Sequence, residues 1–117
     1  MTDTFLDETR LRLREFARER DWDQFHSPKN LAMALAAEAG ELIEHFQWIS
    51  ESDSCKLDAS AKAEVEHEIA DVMLYLIRLA DRLDIDVADA VDKKLVVNEA
   101  KYPKDLVRGS AKKYTEY

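Results

Sequence analysis

Four carboxylates stand out for their surroundings. Glu38 and Glu41 lie in the run from Leu31 to Ile49, and Glu68 and Asp71 lie between Ala59 and Leu83. Members of each pair are three residues apart, so a helix sets both on nearly one face. Their neighbours are mainly Ala, Leu, Ile and Val rather than the Lys or Arg of solvated ion pairs. Leu31, Leu35, Glu38, Leu42 and Ile49 fall along one helical stripe, which puts a carboxylate where the pattern asks for an apolar group. Gly40, which costs about 1 kcal/mol against Ala inside a helix, reads as room for close packing or for substrate beside the acids. If the two helices pack antiparallel, as a connection of about ten residues permits, all four carboxylates converge. Like charges in a low-dielectric site raise one another's pKa, and a hard divalent cation relieves that repulsion. All-oxygen ligation suits Mg²⁺, with Mn²⁺ as a substitute. The alternative is an acidic helix face that is simply solvated.

Other chemistries find less support. Glu64-x-x-His67 matches the Glu-x-x-His unit of di-iron bundles once, with no second copy. His67-Glu68 lacks the second His of a zinc protease helix. His26, His45 and His67 read as surface groups or neighbours of a site rather than metal ligands. There is no Gly-rich phosphate loop, Cys-x-x-Cys pair or nucleophile elbow. A metal-assisted reaction at phosphorus remains. Lys94, Asn98 and Tyr102 recur at four-residue steps and share a helix face, where a point charge and two donors could hold phosphate oxygens.

The elements that must position these groups are helical. Residues 4–20 read as a first helix, with Phe5, Leu6, Leu13, Phe16 and Ala17 as apolar positions. Asp21 to His26 is a connection without a helical stripe. Its Trp22 and Phe25 either staple it to the core or wall a pocket for a flat ligand. Ser27-Pro28 starts a second helix as N-cap and first helical residue, running to about Ser50. Residues 52–60 form a polar loop without expected internal structure. A third helix runs from about 59–62 to Leu83, on a stripe of Val65, Ile69, Val72, Leu76, Leu79 and Leu83. Asp86 caps a fourth from Val87 to about Lys101, stopped by Pro103. The fold class is all-α, a four-helix bundle in one domain over residues 1–117, with a basic tail from 103.

Composition agrees. Two Gly and two Pro argue against a turn-rich β fold. Residues 1–92 hold 22 acidic and 10 basic side chains, whereas 93–117 hold 3 and 7. An acidic chain without a dominant basic face is a poor partner for long nucleic acids, yet it can take an anion that arrives with metal. The single cysteine, Cys55, excludes an internal disulfide and fits a reducing compartment. Met1-Thr2-Asp3-Thr4 lacks the regions of a signal peptide, and no apolar run reaches the ~20 residues of a membrane span. The expectation is a cytoplasmic protein.

The run from Phe25 to Leu31, Glu38-Ala-Gly-Glu41 continuing to Phe46-Gln-Trp48, and Glu68-Ile-Ala-Asp71 followed by Val72-Met-Leu-Tyr75 together resemble the MazG-like all-α nucleoside triphosphate pyrophosphohydrolases. Lys101-Tyr-Pro103 and the run from Arg108 to Thr115 resemble the dCTP pyrophosphatase branch in particular. The resemblance implies Mg²⁺-dependent cleavage between the α and β phosphates, giving a nucleoside monophosphate and pyrophosphate. It implies that Glu38, Glu41, Glu68 and Asp71 hold the metal and orient or activate water. It assigns Lys94, Asn98 and Tyr102 to the triphosphate with help from Arg82, and Trp22 and Trp48 to the base, with His26 also in the substrate site. It implies a homodimer or homotetramer whose neighbouring subunits complete each site. The branch carries a His on its first helix near the base where this chain has Leu13, which leaves base preference open. The resemblance implies dCTP or a modified pyrimidine nucleotide as the substrate, in a house-cleaning role. The other readings are a broad-specificity or dUTP-directed enzyme and a non-enzymatic acidic interaction module.

Overall fold

The computed structural model of the protein describes residues 4–116. Three of the four residues in the N-terminal reading, Met1 to Asp3, therefore lie outside the described residues. Within these limits the chain is all-α, with no strand. Four helices are long: α1 (Thr4–Glu19), α2 (Pro28–Glu44), α4 (Ala59–Arg82) and α5 (Val87–Lys101). Two single-turn helices, α3 (Glu51–Ser54) and α6 (Lys104–Val107), and two 3₁₀ turns at Asp23–Phe25 and Tyr114–Glu116 complete the described elements.

Side-chain caps set most of the helix starts. Ser27, Ser50, Asp58 and Asp86 each accept a hydrogen bond from the backbone N–H three residues on, beginning α2, α3, α4 and α5. Helix α2 ends at Glu44, earlier than the sequence suggests, and residues 45–48 continue as turns. Beyond them, the extended backbone of Ser50 (φ −73°, ψ 161°) and its Oγ, 3.0 Å from the Asp53 N–H, start a new turn. The same cap gives structure to part of the stretch expected to be a plain loop.

Helices α1 and α4 end alike. Asp21 and Asp84 adopt left-handed backbone conformations, φ 55° and 56°. Each is followed by a residue whose N–H returns to the last turn: Trp22 to Ala17 O at 2.9 Å, and Ile85 to Ala80 O at 2.8 Å. These are Schellman endings with Asp in place of the usual Gly. The first one delivers Trp22 against Phe16, with ring centroids 5.6 Å apart and edge to face.

The chain packs as two compact units, one ending at Ile85 and one beginning at Asp86. In the first, α4 packs against both α2 and α1. Ala17, Leu31, Val65 and Ile77 are its fully buried apolar residues. Asp81, with a side chain only 5% exposed, ties α1 to α4: Arg14 grips it with Nε at 2.7 Å and Nη2 at 2.6 Å. The expected α4 stripe is only partly buried. Val65 is inside, but Ile69, Leu76 and Leu83 are exposed, and Ile77 takes a core position instead. Within this chain, only Val65, Ile77 and Arg78 of the 24 residues of α4 are buried. A Cβ built on Gly40 meets nothing within 4 Å, so close packing within this chain is not what that glycine provides.

In the second unit, α5 carries Lys94, exposed, and Asn98, half-buried, on one face, whereas Tyr102, exposed, is the cap residue after the helix (φ −124°, ψ 68°), so the expected helical face does not extend to it. No helix among the described residues is long and apolar enough to cross a membrane.

Candidate metal centre and adjoining cleft

The packing of α2 on α4 brings the two acid pairs together. Oxygens of Glu38, Glu41 and Glu68 lie within 4.8 Å of one another, with Glu38 and Glu68 half-buried and Glu41 exposed. Asp71 is not in that closest group, but its charge still acts on Glu38. A cluster of acidic residues able to coordinate a divalent cation is therefore present.

Its electrostatics call for a cation. Glu38 Oε2 and Glu68 Oε2 are buried without a hydrogen-bond partner, a state that costs ~1–3 kcal/mol per group and more for a charge. The Glu38 carboxyl is pushed up to about 7, chiefly by hydrogen bonding with Glu41. Burial and the charges of Glu41, Asp71 and Glu68 add to it. Near neutral pH the Glu38 carboxyl is therefore partly protonated. Carboxylate oxygens of this number and hardness fit Mg²⁺ or Mn²⁺.

His45, at the C-terminal cap of α2, faces the same acids. Its Nε2 is 3.8 Å from Glu68 Oε1 and its Nδ1 is 3.7 Å from Glu64 Oε2. Sequence reasoning treated it as peripheral, although its place four residues after Glu41 puts it on the acid face.

Next to the acids opens a cleft of about 270 Å³, lined by Leu13 and Phe16 of α1, Trp22 and His26 of the connection, and Asp71, Tyr75 and Arg78 of α4, among others. Trp22 lines this cleft as well as packing on Phe16, and Asp71 joins the cleft to the acid cluster. Phe25 is exposed and is not among the lining residues. Arg78 was not singled out from the sequence. Its signal is spacing: Asp71, Tyr75, Arg78 and Arg82 follow at steps of four, three and four along one face of α4.

The remaining candidates stand apart from this cleft's lining. Trp48 is 86% exposed in the single chain. Arg82 donates from Nε to the His26 carbonyl at 3.1 Å and borders a second cavity with Arg14, Arg18, Asp23, Arg78 and Asp81. Lys94, Asn98 and Tyr102 belong to the second unit.

Comparison with known proteins agrees with this geometry. The MazG-like family matches residues 33–117. The dCTP pyrophosphatase 1 of Mus musculus is 46% identical over 104 residues, covering 87% of this chain and 61% of that protein. The Homo sapiens dCTP pyrophosphatase 1 is 45% identical over the same extent. This chain thus spans less than two thirds of the length of those relatives. A pyrophosphatase from Archaeoglobus fulgidus, known from its crystal structure, superposes with a TM-score of 0.82 at 42% identity, covering 89% of this chain and 97% of that one.

Proposed function

The chain belongs to the MazG-like family, and on that footing we propose that it is a Mg²⁺-dependent nucleoside triphosphate pyrophosphohydrolase. It cleaves between the α and β phosphates and releases a nucleoside monophosphate and pyrophosphate. The observation that carries this reading is the convergence of Glu38, Glu41 and Glu68, with two buried carboxylate oxygens left unpartnered. A solvated interaction face would leave such oxygens to water, which argues against a purely non-enzymatic module.

Glu38, Glu41, Glu68 and Asp71 are the residues that would hold the metal. Magnesium, when bound, offsets the triphosphate's charge and polarises the phosphorus under attack. One of the same carboxylates orients water or takes its proton. The base enters the cleft beside Asp71, between Trp22 and the α4 side chains, with His26 on its polar edge. The pyrophosphatase activity named for the similar Archaeoglobus protein, and the dCTP named for the mammalian relatives, support a phosphoanhydride substrate with a pyrimidine base. Leu13 lines the cleft and offers the base no hydrogen bond. That favours, as a second reading, broader use of nucleoside triphosphates or of dUTP.

In the same reading residues 1–117 form one domain, a four-helix bundle. The family match running through both compact units supports it. The exposed apolar residues of α4 are covered in a homodimer or homotetramer. A neighbouring subunit there brings Trp48 to the base and completes the site, and Lys94, Asn98 and Tyr102, aided by Arg82, hold the triphosphate. The protein acts in the cytoplasm on free nucleotides and binds neither long nucleic acids nor membranes. The test is pyrophosphate release from a panel of nucleoside triphosphates with and without Mg²⁺. Release from dCTP only with metal is expected, and no release from any nucleotide overturns the reading.

A further inference from the structure

The cleft's polar edge is organised by Arg78, to which the proposed function gives no part. It is the buried charged residue of the described chain, 5% exposed. A guanidinium at that depth is costly unless its donors are used. Its Nη2 donates to Asp23 Oδ1 at 2.6 Å, and its Nη1 lies 3.6 Å from Asp81 Oδ2. Its Nε donates to His26 Nδ1 at 3.2 Å.

That last bond decides the state of the imidazole. Arginine accepts no hydrogen bond and does not give up its proton, so Nδ1 must present its lone pair. The ring's hydrogen then sits on Nε2, and a second proton on Nδ1 would point at the N–H of Arg78. Burial, then the charge of Arg78, then that of Arg82 hold the imidazole below its ordinary pKa, with Asp23 alone opposing them. The backbone of His26 is clamped as well. Its N–H donates to Asp23 O at 3.2 Å and its carbonyl accepts from Arg82 Nε at 3.1 Å. Trp22 stands edge-on to the ring with centroids 6.2 Å apart. The Nε2–H is left without a protein partner among the described residues, on a side chain that lines the cleft.

We propose that Arg78 is a positioning residue that fixes His26 in its Nε2–H form, as an oriented donor for an acceptor atom of the bound base. A ring carbonyl of a pyrimidine is the acceptor it would read. The inference rests on the cleft being the nucleotide's base pocket. It makes His26 a reader of the base rather than a proton-transfer group, and it explains why a charged side chain is kept in so small a core.

The test begins with the unliganded parent protein labelled with ¹⁵N-histidine. Long-range ¹H–¹⁵N spectra should show His26 as the Nε2–H tautomer at pH 8, with a titration midpoint below the ordinary value of about 6.5. In Arg78→Met, which sets a methyl group where Nε donated, the Nε2–H preference should be lost, and the titration midpoint should move up without reaching its ordinary value, since burial and Arg82 remain. Arg78→Gln should keep the parent tautomer, because its amide NH₂ stands at the same place along the side chain as the arginine Nε. Binding of α,β-imido-dCTP with Mg²⁺ at pH 8 should weaken about fivefold in Arg78→Met, the worth of one hydrogen bond, and less than twofold in Arg78→Gln. An Nδ1–H tautomer in the parent, a parent ring that titrates normally, or full binding by Arg78→Met would overturn the inference. If Arg78→Met does not fold, the parent spectrum and Arg78→Gln decide the matter. Failure of the parent to bind the analogue overturns the nucleotide reading itself, whereas binding with the wrong tautomer overturns only the role of Arg78.

Discussion

The proton held at Glu38 should leave when Mg²⁺ enters. With the carboxyl at about 7 in the metal-free protein, and ligation requiring the carboxylate, metal uptake is coupled to proton release. The occupancy of that proton gives the magnitude: about 0.9 proton released per site at pH 6, about 0.5 at pH 7 and about 0.1 at pH 8. Apparent Mg²⁺ affinity should fall about tenfold from pH 8 to pH 6 on the same arithmetic. Titration calorimetry in PIPES and HEPES, whose ionisation enthalpies differ, reads the released protons directly. Glu38→Gln should lose the pH-dependent part, because the amide has nothing to release. The stability of the metal-free protein must follow the same sign. The Glu38 pKa is raised on folding, so its stabilising contribution is complete below about 4.5 and is lost as pH rises through about 7. The metal-free melting temperature should therefore decline over that window, and saturating Mg²⁺ should offset the decline. Proton release below about 0.1 at pH 6, or release that is unchanged in Glu38→Gln, would refute the assignment of Glu38 to a shared metal site.

Other perturbations address separate parts of the structure. Trp48→Ala should leave the stability of a single protomer within ~0.5 kcal/mol, since an exposed ring makes few contacts. It should nonetheless raise KM for dCTP several-fold if a neighbouring subunit uses the ring, and an unchanged KM would return Trp48 to a plain surface role. Asp81→Ala, which strips the buried carboxylate from Arg14 and Arg78, should cost about 2–3 kcal/mol in urea unfolding. The figure sits below that for a wholly buried pair because Arg14 is half exposed. A loss under 0.5 kcal/mol would show that this carboxylate does not hold α1 to α4. Asp84→Gly should stabilise the protein by about 0.5–1 kcal/mol, as the left-handed end of α4 suits glycine; a lower melting temperature would mean that the Asp84 side chain outweighs its backbone strain.

Much of this arrangement was legible in the residues. The two acid pairs announced themselves by breaking an apolar helical stripe, and Ser27-Pro28, Asp86 and Pro103 marked helix ends through local chemistry that needs no tertiary context. Ser50 carried a comparable signal, but the apolar run through Phe46, Trp48 and Ile49 concealed it. The Asp endings of α1 and α4 were hidden because the left-handed position usually announces itself as Gly. The α4 stripe misled for a different reason. Periodicity identifies an apolar face without saying whether the same chain covers it, so Ile69 and Leu76 read as core yet stand exposed. Arg78 escaped notice because a lone arginine in an apolar run looks solvated. Only the packing of α4 beside the 21–26 connection supplies the Asp23 and His26 partners that make its burial possible.

The most direct test of the four-carboxylate site is the fate of dCTP with the parent protein and with Glu68→Gln. With Mg²⁺, the parent should form dCMP and pyrophosphate in equal amounts, and removal of the metal with EDTA should abolish both. Glu68→Gln should retain its helical circular dichroism while its turnover falls at least ~100-fold, because a carboxylate that holds the metal is missing. Orthophosphate in place of pyrophosphate, turnover that survives EDTA, or a Glu68→Gln protein as fast as its parent would contradict the account.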